Sequence, residues 1–183
     1  MTDPLSLKLV GLFIGVVWLA AHVFMLLRLE QTREWAMRFP RSRTAGLVLL
    51  TVDFLWTYAI AYTMDWGEFY YLQTPVMFGL PVFFYLVIRY VDEFLAVRAL
   101  GIMGLLAAAP VLNAAFLRPP MSRLLVVVLA YAWVVLGMLY VSAPHTLRDH
   151  IAWLNRSLGR WRAAALAGIA YGALVLLCAV AWY

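Results

Sequence analysis

Apolar residues in this sequence run on for about twenty positions at a time, six times over, with short polar and aromatic punctuation between the runs. A run of that length with few charges matches the thickness of a bilayer's hydrocarbon core, crossed by a helix rising about 1.5 Å per residue. The pattern predicts spans at about 5–27, 45–64, 74–91, 99–117, 124–141 and 163–183, an all-α polytopic membrane bundle. Gly11 and Gly15 in the first run, and Gly168 and Gly172 in the last, have the GxxxG spacing that lets a neighbouring backbone approach, in this chain or another. Pro110 falls inside the fourth span and is expected to kink it.

The polar intervals carry their own patterns. Residues 89–98 form a central hinge, where the chain leaves the bilayer and at once re-enters it. If the third helix continues through this hinge, Arg89 and Glu93 are four apart and pair, leaving Asp92 and Arg98 to pair locally or engage neighbouring loops. Such charges anchor a helix end in the interface, or alternatively meet a substrate, lipid headgroup or partner. Residues 28–43 place Trp35, Met37 and Phe39 among five arginines ahead of the stop at Pro40. That reads as a short interfacial helix or a solvated basic loop. Residues 142–162 hold a second amphipathic helix, 145–158.

Composition narrows the class. With 66% hydrophobic and 13% charged residues, the chain is too apolar for a soluble domain, where about a quarter of residues are charged. The six runs leave no room for a separate soluble unit, so residues 1–183 read as one membrane domain. The net charge of +5 does not signal nucleic acid, because the arginines fall in short clusters between apolar runs. Eleven lysines and arginines fall on one side of the predicted alternation and three on the other. By the positive-inside rule the first side is cytoplasmic and both termini are extracytoplasmic, with a bacterial inner membrane as the expected location. Asp3, ahead of a long first run with no convincing cleavage site, favours a retained span over a signal peptide. Cys178 is the one cysteine, which excludes an internal disulfide, a CxxC pair and a c-type haem attachment.

Few groups carry chemistry. Asp53 stands about eight residues into the second span, where an ionisable group must face protein or water and needs a partner. His22 lies about six residues before Arg28, so the two are expected at roughly 12 and 9 Å from the cytoplasmic side, close enough to meet across the first two helices. Such a pair would relay a proton, bind a quinone or place His22 on haem, or else be an inter-helix hydrogen bond that fixes packing. His145, Arg148, Asp149 and His150 form an interfacial cluster. His145 and Asp149 share a face, but His150 points elsewhere, so no metal site is expected. Most of the eight tryptophans and ten tyrosines lie near predicted helix ends, as interfacial rings do.

These features lead first to an accessory or assembly subunit of a larger membrane complex, respiratory or otherwise energy-converting, without catalytic activity of its own. A small transporter or channel using His22 and Asp53 is the second expectation. The third is a membrane-embedded quinone- or lipid-binding redox protein or enzyme. No cofactor is expected beyond a bound lipid or quinone. The expected partners are membrane lipids and either other membrane subunits or further copies of the chain.

Overall fold

The computed structural model describes residues 6–91 and 93–183. Eight α-helices occur among them and no strand. Six are long and apolar enough to cross a membrane: α1 (Leu7–Leu27), α3 (Arg43–Thr63), α4 (Tyr70–Tyr90), α5 (Leu95–Ala115), α6 (Leu124–Ser142) and α8 (Leu158–Ala181). Two short ones, α2 (Leu29–Arg38) and α7 (His145–Asn155), follow the ends of α1 and α6. The protein is an all-α polytopic membrane bundle.

Local chemistry sets the helix starts. Ser6, Ser42 and Ser157 cap α1, α3 and α8, their hydroxyls accepting from the backbone N–H groups of Leu9, Ala45 and Arg160. The caps move two boundaries: α3 begins at Arg43 rather than about 45, and α8 at Leu158 rather than about 163, taking Arg160 and Arg162 into its first turns. Hydropathy alone stops short of such arginines. The interval 28–43 is helical over Leu29–Arg38 and closes in a 3₁₀ turn at Phe39–Arg41 that contains Pro40. Pro110 lies within α5 without ending it.

α5 is the axis of the bundle, with nine buried residues from Leu95 to Ala115. Against it lie α6 and the flank of α1 on one side, and α3 on the other. One apolar core joins α1, α5, α6 and α8 through Ile14, Ala108, Val111, Val126, Ala130 and Val175. A smaller one joins α3 and α5 through Leu50, Leu95 and Ala99, with Phe84 and Val87 of α4 packed on it. The glycine pairs of the first and last spans are used on each other: α1 and α8 run antiparallel in close contact, with Gly15 against Leu176 and Gly172 against Leu19. α4 leans on α3 and has no buried residue.

The central hinge differs from its expected form. α4 stops at Tyr90, so no helix carries Arg89 and Glu93 onto one face. Arg89 lies instead over the ring of Tyr90, at 5.9 Å. The backbone turns into α5 through Phe94 in a left-handed conformation (φ 55°). Arg98 falls in the first turn of α5, and its Nε is buried with no hydrogen-bond partner among the described residues. Asp92, and with it the expected local pairing, lies outside the described residues.

Candidate ligand site at Asp53

Residues 50, 53, 54 and 57 recur at three- and four-residue spacing, so they share one face of α3. That face meets Leu80, Phe83, Phe84 and Val87 of α4, which repeat the same spacing, and Ile102 of α5 closes the end. The two helices do not seal against each other, and a pocket of about 120 Å³ remains between them. Phe54 and Phe84 form a stacked pair along its wall, ring centres 4.5 Å apart. Asp53 is the one ionisable group lining it.

Asp53 is the eleventh of the 21 residues of α3, about 15 Å from either end of the helix. It is 2% exposed, the one charged residue type in the buried set of described residues. Neither carboxyl oxygen has a hydrogen-bond partner among those residues. Ionised, the group offers only acceptors; protonated, it adds one donor. Either form leaves its hydrogen bonding unmet here. A buried polar group in that condition costs about 1–3 kcal/mol, more when charged. A ligand that brings a hydrogen-bonding end into the pocket removes that cost, and its apolar remainder finds aromatic walls.

His22 is elsewhere. Starting α3 at Arg43 puts Asp53 at mid-depth, whereas His22 sits five residues from the end of α1, about 8 Å in. The two helices also turn these residues apart, because the GxxxG contact faces α1 towards α8. The His22 ring lies on Gly168, where an added methyl would overlap it. Its Nδ1 is 2.8 Å from the Trp18 carbonyl oxygen, an acceptor, so Nδ1 carries a proton in that contact. The expected His22–Asp53 pair is therefore not formed. His22, Trp133 and Tyr171 gather round Trp18, 5.0 to 6.4 Å between ring centres, and the three aromatic residues lie in mid-helix rather than at an interface.

At the other predicted cluster, Asp149 bonds to its neighbour Arg148 (3.0 Å) rather than sharing a site with His145. His150 turns away to the edge of the Tyr140 ring. Sequence reasoning missed Thr57, Phe83 and Phe84 as site residues, although the matched spacing on α3 and α4 was a usable signal. It also missed Asn155, which accepts from Arg33 Nε through Oδ1 (2.8 Å) and from Nη2 through its carbonyl (2.9 Å), joining α2 to α7. No known protein family, curated protein or solved structure matches the chain.

Proposed function

We propose that the protein binds a lipid-soluble molecule inside the membrane, in the cleft between α3 and α4, with the Asp53 carboxyl as its polar anchor. The observation that carries this is a mid-membrane carboxyl that is buried, without a hydrogen-bond partner among the described residues, and set in an apolar pocket. Charged residues at that depth are costly, and a ligand site is one of the roles for which they are kept. The flat aromatic wall and single hydrogen-bonding group suit a quinone, quinol or hydroxylated lipid, whose tail leaves between the two helices. The concentration of arginines around α2 and α7 favours that end of the bundle as cytoplasmic, in a bacterial inner membrane.

The test is chemical extraction. Protein purified gently from its own membrane, then extracted with organic solvent, is expected to yield a compound in near-stoichiometric amount that is depleted at least tenfold from the Asp53→Leu variant. Identical extracts from the two proteins would sink the reading. An accessory-subunit role is the second reading, favoured by α4: a 21-residue helix without a buried residue leaves a long apolar face, with Phe78, Val82 and Tyr85 exposed, for a helix of another chain. The GxxxG faces of α1 and α8 no longer support it, being occupied by each other.

A further inference from the structure

At the arginine-rich end of the bundle, α2 with its 3₁₀ turn and α7 lie side by side, fastened by the two hydrogen bonds from Arg33 to Asn155. Between them is a notch of about 160 Å³ with two kinds of wall. Met37, Pro40 and Ile151 are apolar, whereas Arg41 and Arg148 bring guanidinium groups. Trp35 and Trp153, on the same two helices, are 60% and 53% exposed, as rings in a headgroup layer are. Arg148 Nε and Nη2 both go to Asp149 Oδ1, which leaves its Nη1 for a ligand.

We propose that this notch holds the phosphate of an anionic membrane phospholipid. Arg41 and Arg148 would donate to the phosphate oxygens, while Met37 and Ile151 pack against the glycerol and first methylenes. Guanidinium is the side chain best matched to phosphate geometry. The position, at the ends of α1 and α6 and beside exposed tryptophans, is where a lipid headgroup sits and a soluble anion does not collect. The hydrogen-bonded clamp fixes the spacing of the two helices, so the notch is a built site rather than a diffuse cloud of charge. The inference is independent of the Asp53 site, which lies in the middle of the bilayer.

Native mass spectrometry of the detergent-solubilised full chain, titrated with phosphatidylglycerol or phosphatidylcholine, reads the preference directly. The wild-type chain is expected to bind phosphatidylglycerol more tightly. The double variant Arg41→Gln/Arg148→Gln is expected to weaken that binding about 25-fold, at roughly fivefold per arginine near the surface. Arg118→Gln/Arg123→Gln, with the same charge change at the other end of the bundle, is expected to leave it within twofold. The single variant Arg41→Gln, which spares the Arg148–Asp149 contact, is expected to lose about fivefold. Equal losses in the two double variants would overturn the proposal in favour of general charge attraction. Competition by millimolar inorganic phosphate would overturn the lipid source and make the site one for a soluble phosphate.

Discussion

Replacing Asp53 by leucine is expected to give a protein that is more heat-resistant and has lost its ligand. Leucine at the centre of a membrane helix is favoured over aspartate by about 3–4 kcal/mol on insertion scales. Here the aspartate also has no hydrogen bond to another described residue to lose. The bulkier side chain, with two methyl groups in place of two oxygens, has somewhere to go, because the pocket beside it holds about 120 Å³. Relief of a buried unsatisfied group is worth roughly 1–3 kcal/mol, which for a chain of this size is about 2–12 °C in melting temperature. The comparison is made on ligand-stripped protein, since a bound ligand stabilises the wild type by mass action. Asp53→Asn, of nearly the same shape, is expected to leave the melting temperature almost unchanged and to bind the ligand less tightly. This pattern separates a binding residue from a packing residue: stability given up for function returns when the function is removed. A fall in melting temperature in the leucine variant would mean that Asp53 holds the bundle together, through a partner inside the chain.

Gly137→Val is expected to damage the bundle severely. A Cβ placed on Gly137 would stand 2.7 Å from the carbonyl oxygen of Gly101, and one placed on Gly101 would stand 2.7 Å from that of Gly137. Both obstructions are backbone, so neither helix yields by a rotamer change and α5 and α6 must part. Overpacking of a core costs about 1–3 kcal/mol, and the two branched methyls of valine press further into the same gap. α5 also carries the contact to α3, so its displacement reaches the Asp53 cleft. The expected result is a melting temperature lower by several degrees, with weaker ligand retention. Gly104→Ala lies on the same face of α5, but its nearest neighbour is the Trp133 carbonyl oxygen at 3.4 Å, and it is expected to behave like wild type. Similar melting temperatures for the two variants would contradict the close α5–α6 contact.

The six helices were legible because a bilayer demands about twenty apolar residues in a row, a requirement visible without knowing any partner. Their starts were less so. Ser42 and Ser157 pull α3 and α8 back into polar sequence, since a serine cap acts locally and hydropathy does not register it. The interfacial segments were legible in outline, with α7 ending at Asn155 rather than 158. The arrangement of the helices was not. Sequence neighbours in a bundle are reasonable partners, and that assumption joined His22 to Asp53. The glycines at 11, 15, 168 and 172 were the better guide, because close backbone approach outweighs adjacency in sequence and commits α1 to α8. With that pairing made, His22 faces Gly168 and Asp53 faces α4. Asp53 itself stood out in the sequence as an isolated charge at depth. Its aromatic surroundings stood out less, because two of the three phenylalanines come from α4, and matched spacing on two helices is a weaker guide to their contact than a pair of glycines.

Occupancy of the cleft at Asp53 is measured most directly by the native mass of the gently extracted protein. Each 20.7 kDa chain is expected to carry one small-molecule adduct that leaves on collisional heating and is missing from the Asp53→Leu variant. The same spectrum reads the assembly, so companion polypeptides would appear beside the adduct if α4 seats another subunit. A bare chain, or an adduct that persists unchanged in the leucine variant, would contradict the assignment of Asp53 as the anchor of a bound ligand.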